Sequence, residues 1–211
     1  MPAKKMNFIS LIEKLEEEFG DDKLVRKNGT ILYGPGTIPK CRHMVFRGLE
    51  EEYIKEFVLD EYKLKFPPEY LELLRHLNGA NLLNIKISFE AKKRFKAKKE
   101  KIEFAHSLLC LYGIPHTPPM GRPIDMEEPF DMRVEDYARH PEIPEQWLKC
   151  GRYANGGDAG NDTDIFIDTE TEKVYSVNKN EKEIVSEWDS LDECLCSLWD
   201  LLSKAQTEQS M

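Results

Sequence analysis

The sequence predicts a protein in which α-helices and β-hairpins share one core. Apolar residues recur at spacings of three and four at 8–19 and 188–202, which predicts an amphipathic helix near each end of the chain. Two short apolar runs flank Asn28-Gly29, a dipeptide that favours a tight hairpin. The runs 165–167 and 174–177 predict a second hairpin. A chain of 211 residues can form one sizeable core, and no internal repeat or low-complexity linker indicates a second domain.

The first elements of the chain are bounded by glycines. The first helix is expected to end at Gly20, because glycine readily adopts the left-handed conformation that closes helices. The hairpin around Asn28-Gly29 runs from Leu24 to Tyr33. Gly34-Pro35-Gly36 is expected to end its second strand.

Two helices are predicted next, at 49–62 and from Pro68 to Asn78-Gly79. Proline suits the first turn of a helix, and Glu69 complements the helix dipole there. We interpret Asn78-Gly79 as the helix end, with direct contact to a partner as the alternative. The two helices would form a compact helical hairpin.

Two strands are predicted after the helical hairpin. The residues 82–89 alternate between apolar and polar, whereas the apolar run 104–113 is compatible with a strand or a helix. The segment 91–101 between them is strongly basic in an otherwise acidic protein. We favour a solvated connector between the strands, with contact to a protein or a nucleic acid as the alternative.

A proline-rich segment at 114–132 predicts a long surface loop, because repeated prolines interrupt helices and central strands. Loops of this length in compact domains are often functional. We therefore predict that His116, Arg122 and Asp125 bind a partner. A short helical segment is predicted at 134–139.

Asparagine, glycine and aspartate are concentrated at 155–168. Their spacing lacks the glycine and the glutamate that a calcium-binding EF-hand loop needs. A tight loop between strands is one interpretation, and an acidic loop that pairs with arginines of a basic partner is another. In the second case Asp158, Asp162 and Asp164 are candidate partner-binding residues. A metal-dependent hydrolase that uses this loop is a further alternative.

The last helix is expected to start at a capping box formed by Ser190 and Glu193, and the tail at 205–211 is expected to fray. The five cysteines are scattered, as in proteins that keep reduced thiols in the core. Cys194 and Cys196 would point to different faces of the helix and could not ligate one metal ion together. We predict no cofactor and no metal.

The composition favours a cytoplasmic protein with a basic protein partner. A net charge of -9 argues against general nucleic-acid binding. No apolar run approaches the roughly 18 residues that span a membrane, and the start of the chain lacks the apolar segment of a signal peptide. The histidines lack the spacing of metal ligands and no nucleophile-elbow motif occurs, so we predict no catalytic residues and no enzyme.

Several segments resemble the SMI1/KNR4 family, also called the SUKH superfamily. Phe66-Pro67-Pro68-Glu69-Tyr70 and Leu77-Asn78-Gly79-Ala80 resemble its early signature of Leu-Pro, Tyr and Asn-Gly-Gly. The late hairpin, with Lys173-Val174-Tyr175, and the last helix resemble the end of the family pattern. The resemblance covers roughly 49–202, with departures at Phe66, Ala80 and Glu172-Lys173.

The resemblance implies an α+β fold, with a twisted, mostly antiparallel sheet packed by helices. It divides the chain into an N-terminal helix and hairpin extension at 1–48, the family domain at 49–204 and the tail at 205–211. It also implies an immunity protein that neutralises a cognate toxin, often a nuclease, by direct contact. A scaffold or signalling adaptor of the same fold is the alternative, because related fungal proteins act in this way.

Overall fold

The computed structural model describes residues 7–36, 41–55, 66–92, 99–114, 143–154 and 162–209. These residues form one sheet of nine strands, in chain order, with antiparallel neighbours. The α+β fold with a mostly antiparallel sheet packed by helices is therefore confirmed. The elements are α1 (Asn7–Phe19), β1 (Lys23–Val25), β2 (Ile31–Tyr33), β3 (His43–Arg47), α2 (Glu51–Tyr53), α3 (Pro68–His76), β4 (Leu77–Lys92), β5 (Lys99–Leu111), β6 (Trp147–Ala154), β7 (Asp162–Asp168), β8 (Val174–Asn178), β9 (Ile184–Trp188) and α4 (Leu191–Gln209).

One face of the sheet, which we call the helix-covered face, packs against α1, α3 and α4. Buried apolar side chains of the strands pack against these helices, which is the usual way for a sheet and helices to share a core. The main buried cluster combines helix and strand residues, including Phe8, Leu15, Tyr70, Leu74, Leu195, Leu198, Ala80, Leu82, Leu109, Leu111, Ile165 and Ile167. A smaller cluster contains Leu32, Cys41, Met44 and Phe46.

The hairpin around Asn28-Gly29 is confirmed, since β1 and β2 pair in antiparallel register. Gly29 has φ +82°, and its backbone N–H donates to the carbonyl of Arg26. The carbonyl of Thr30 accepts from the N–H of Arg26, and the Asn28 side chain accepts from the N–H of Thr30. A left-handed glycine after a turn is a common hairpin geometry, and a side chain at Gly29 would also collide with Arg47.

Strand β3 had not been predicted, and it joins the N-terminal hairpin to the rest of the sheet. Its first residue, His43, stacks on Trp199 of α4 with 5.7 Å between ring centroids. The ring also packs edge-on against Phe19 of α1. The N-terminal segment therefore shares its sheet and part of its core with the rest of the chain.

The predicted helix boundaries in the middle of the chain need correction. α3 ends at His76, and Asn78 and Gly79 lie in β4, although Gly79 does have the predicted positive φ, +86°. Of the predicted helix at 49–62, the structure describes α2 and two further helical residues, 54–55, and 56–65 lies outside the described residues. The two segments do meet, because Arg75 forms an ion pair of 2.8 Å with Glu51.

Strand β4 begins five residues before the predicted position 82, and β5 begins five residues before 104. The basic segment connects these two strands, as expected, but its ends belong to the strands themselves, since Lys92 pairs with Lys99. Residues 93–98 lie outside the described part of the chain.

The last three strands are joined by two turns of the same geometry. Asp168 and Asn178 each begin a turn, and each side-chain Oδ1 accepts hydrogen bonds from the backbone N–H groups two and three positions later. Each turn contains one residue with positive φ, Glu172 at +62° and Lys182 at +61°. The first turn is the predicted late hairpin, and the second leads into β9, which had not been predicted.

The capping box at the start of α4 is present in a shifted form. The Ser190 hydroxyl accepts from the N–H of Glu193 at 3.1 Å, and the Glu193 carboxylate accepts from the N–H of Asp189. Glu69 of α3 accepts from the N–H of Leu191 at 2.7 Å, which places a carboxylate at the positive end of α4. The helix continues to Gln209, so the tail predicted to start at 205 is helical up to that residue.

Candidate functional site

Charged side chains lie on the second face of the sheet, opposite the helix-covered face. The register pairs Arg152 with Asp164 on neighbouring strands, and paired residues of antiparallel strands project on the same side. Lys149 Nζ lies 3.0 Å from Asp164 Oδ2, and Arg152 lies 2.8 Å from Asp162 Oδ2. We call these four residues the β6–β7 ion-pair cluster. His106 of β5 borders it, with its Nε2 4.0 Å from Asp162.

The β6–β7 ion-pair cluster is largely shielded from solvent. The side chains of Lys149 and Asp164 are 9% and 13% exposed. Lys149 also lies over the ring of Tyr112, with Nζ 5.5 Å from the centroid. Burial lowers the pKa of Arg152, because it disfavours the charged form. Nearby groups, Asp162 among them, outweigh this effect and hold the pKa above its usual value. Burial likewise raises the pKa of the Cys110 thiol, which pairs with Arg152 in the sheet.

Of the six predicted partner-binding residues, the structure describes Asp162 and Asp164. It places both in the β6–β7 ion-pair cluster, where their carboxylates pair with basic residues of the same chain. The other four, His116, Arg122, Asp125 and Asp158, lie outside the described residues. The predicted helical turns at 134–139 and most of the 114–132 loop also lie outside them.

The end of the acidic segment 155–168 has a structural role. Asp168 accepts hydrogen bonds from the N–H groups of Glu170 at 2.8 Å and Thr171 at 3.3 Å. Burial raises the pKa of Asp168, but these hydrogen bonds outweigh that effect and hold the pKa below its usual value. Within the described ranges, no group of three or more histidine, cysteine or acidic side chains could hold a metal ion.

Asn78 is buried and makes structural contacts. Its side-chain amide donates to the carbonyl of Ile114 at 2.7 Å, and its Oδ1 accepts from the N–H of Ile114 at 2.7 Å. Gly113 passes so close that an added Cβ would lie 2.4 Å from the Asn78 carbonyl oxygen. Asn78 therefore joins the start of β4 to the segment after β5.

The sheet edge formed by β9 was missed by sequence reasoning. Ile184 and Val185 are 57% and 45% exposed, although they are large apolar residues. The strand pairs with β8 in antiparallel register. The available signal was the short run Ile184–Trp188 between the turn that begins at Asn178 and the helix cap at Ser190, which is typical of a hairpin strand.

The five cysteines are free thiols, four of them buried and Cys196 partly exposed, as expected from their scatter. Burial raises the pKa of Cys150 to about 12 and of Cys196 to about 11, which disfavours the reactive thiolate at neutral pH. Among the helices of the described residues, none is both long and apolar enough to cross a membrane.

The fold and its polar contacts define an α+β domain in which an open antiparallel sheet carries helices on one face and a structural ion-pair cluster on the other. The chain belongs to the SMI1/KNR4 family (SUKH-1), whose family model matches residues 48–197. The resemblance in the sequence is thus confirmed. No curated protein and no solved structure shows significant similarity to the chain. The match excludes α1 and the strands β1, β2 and β3, although these three strands extend the same sheet.

Proposed function

We propose that this chain is an immunity protein, which binds a cognate toxin domain directly and blocks the toxin's active site or substrate-binding surface. Membership of the SMI1/KNR4 family over residues 48–197 carries the proposal. Members of this family are in general immunity proteins that do not catalyse a reaction. The chain would act in the cytoplasm, where a toxin that escapes neutralisation reaches its targets.

The charge of the chain supports a basic partner. With a net charge of -9, its long-range field attracts a positively charged surface and repels nucleic acids. Toxins that act on nucleic acids need a basic cleft to hold phosphates. Charge complementarity of this kind speeds association and discriminates against wrong partners.

We further propose that the proline-rich loop and the acidic loop contact the toxin, through His116, Arg122, Asp125 and Asp158. Asp162 and Asp164 would contribute by stabilising the start of β7, because their carboxylates form ion pairs with Arg152 and Lys149. The alternative, a scaffold or signalling adaptor, predicts a partner that is not toxic.

Co-expression tests the proposal. Cells that express the toxin domain encoded beside this gene are expected to survive when this chain is present and to die when it is absent. A catalytically inactive form of the toxin is expected to co-purify with the chain. An unrelated toxin domain is the specificity control and should kill in both cases. Cell death in the presence of the chain, with no complex recovered, would contradict the proposal and favour the adaptor.

A further inference from the structure

β9 presents an edge with exposed apolar side chains. In the described part of the chain it hydrogen-bonds to β8 on one side only. Ser176 pairs with Ser186 and Val177 with Ile184, so Val185 is an extra residue that forms a bulge. Ile184 and Val185 remain 57% and 45% exposed. Edge strands with free backbone groups are templates for another strand, and apolar side chains on them favour such pairing.

Acidic residues slightly outnumber basic ones around this edge, with Glu181, Glu183, Glu187 and Asp189 against Lys173, Lys179 and Lys182. Glu181, Glu183 and Glu187 are all exposed. Glu187 pairs with Lys173, whereas Glu181 and Glu183 form no ion pair with any described residue. The start of β7 lies close to the turn before β9, because the carbonyl of Asp162 accepts a hydrogen bond from the N–H of Lys179.

The opposite edge of the sheet, β1, has similar exposure but a different charge. Leu24 and Val25 are 51% and 57% exposed. Lys23 in β1 is already paired with Glu16 of α1, and Arg26 and Lys27 follow the strand. Asp21 and Asp22, which are also exposed, precede β1, so acidic and basic residues are balanced at that edge. Exposed apolar residues therefore occur at both edges, but β9 is five residues long, whereas β1 has three residues.

Aromatic side chains adjoin the β9 edge on the second face. Tyr175 is the cross-strand neighbour of Glu187, and it stacks on Trp147 with 4.3 Å between ring centroids. Both rings are half-buried. Tyrosine and tryptophan are enriched among the residues that dominate binding energy at protein interfaces.

We propose that the toxin adds an extended, basic segment to β9, so that it becomes the tenth strand of this sheet. This inference rests on the proposed function and specifies the contact. Main-chain hydrogen bonds supply affinity in this mode, and the side chains on either side of the added strand supply specificity. A second copy of the chain fits less well, because two chains that each carry a net charge of -9 repel each other.

A pair of matched variants tests the docking edge. Ile184→Lys with Val185→Lys places two positive charges on β9, and Leu24→Lys with Val25→Lys makes the same change on β1. All four positions are exposed, so both variants are expected to fold, which circular dichroism verifies. Binding of the inactive toxin domain is measured by calorimetry. We expect the β9 variant to bind about tenfold more weakly or worse, and the β1 variant to bind within about twofold of the unmodified chain.

Hydrogen exchange on the unmodified chain gives an independent measurement that needs no variant. Amides of β9 are expected to exchange more slowly when the inactive toxin is bound, because an added strand pairs with them. Equal binding by the β9 variant, or equal loss in the β1 variant, would overturn the docking inference while leaving the proposed function intact. Absence of binding by the unmodified chain would overturn the proposed function and this inference with it.

Discussion

Lys149 of β6 and Asp164 of β7 form an ion pair of 3.0 Å whose two side chains are nearly removed from solvent. Asp164 Oδ1, the second oxygen of the carboxylate, is buried without a hydrogen-bond partner among the described groups. Because two buried charges depend on each other here, removal of one leaves the other without compensation in a medium of low polarity. The sequence had suggested that Asp164 contacts a partner, and the structure gives it an internal one.

Removal of one member of this pair is expected to destabilise the folded state. Asp164→Ala is expected to lower the free energy of unfolding by about 3–5 kcal/mol, as is usual when a buried ion pair is broken. Replacement of both members, Lys149→Met with Asp164→Leu, is expected to recover much of that loss. Urea unfolding of Asp164→Ala and of the double variant provides the test. A stable Asp164→Ala variant that binds the toxin weakly would show instead that Asp164 is a contact residue.

Turn formation by Asp168 is expected to depend more on its oxygen atom than on its charge. Asn178 forms the same turn with an amide oxygen. Asp168→Asn should therefore keep the two backbone hydrogen bonds and lose only the contribution of the carboxylate charge at neutral pH, whereas Asp168→Ala is expected to cost about 1–2 kcal/mol through two lost backbone hydrogen bonds. Thermal unfolding compares the two variants. Equal destabilisation by both would contradict this account.

Asp168 also contributes to the pH dependence of stability. The folded state holds its pKa below the usual value, so its stabilising contribution is present above the pKa of the unfolded chain. That contribution is lost as the pH falls through the folded-state pKa. Asp168→Asn removes this dependence, because an amide does not titrate in this range.

His43 is expected to make the fold sensitive to mild acid. Burial, with Arg42 nearby, lowers its pKa to about 3, and its Nδ1 accepts a hydrogen bond from the N–H of Leu83. An unfolded histidine has a pKa of about 6.5, so below that pH the unfolded chain binds a proton that the folded chain excludes. Stability from this source is full above pH 6.5 and falls as the pH decreases toward 3.

Urea unfolding at pH 7 and pH 5 measures this effect. The unmodified chain is expected to lose about 2 kcal/mol of stability from His43 over this interval. In His43→Asn, which retains a hydrogen-bond acceptor, and in His43→Phe, which retains a ring, the loss should be smaller by that amount. The same acid dependence in all three proteins would show that His43 does not titrate on unfolding.

The parts of the fold that depend on local sequence could be predicted. The Asn28-Gly29 hairpin, the late hairpin and the capping residue Ser190 each follow from a few neighbouring residues with defined backbone preferences. Strand β3 could not be found in this way. Its residues 43–46 are buried throughout, so the strand lacks the alternation that marks a sheet with one solvated face.

The error at Asn78-Gly79 has a different cause. Asparagine followed by glycine is typical of a helix end, and the local signal alone cannot distinguish that role from a bend in a strand. Here the strand conformation is stabilised by a contact between residues that are distant in sequence, since Asn78 forms hydrogen bonds with the backbone of Ile114. The ion pairs of Asp162 and Asp164 are equally dependent on strand register, which the composition of the acidic segment does not encode.

Association with the toxin is expected to slow as salt is added. If the acidic surface steers a basic toxin, ions screen the attraction over about 8–10 Å at physiological ionic strength. Stopped-flow measurement from about 50 to 500 mM sodium chloride should show an association rate that falls by about tenfold or more, with a smaller change in dissociation. An association rate independent of salt would remove the electrostatic part of the account, even if binding persists.

The most direct test of neutralisation is a titration of the purified toxin's activity with this chain. The proposal predicts that activity decreases linearly with added chain and reaches the background level at a molar ratio near one, because each toxin is blocked by a bound protein. Full toxin activity in the presence of excess folded chain would contradict the claim that this protein confers immunity by direct binding.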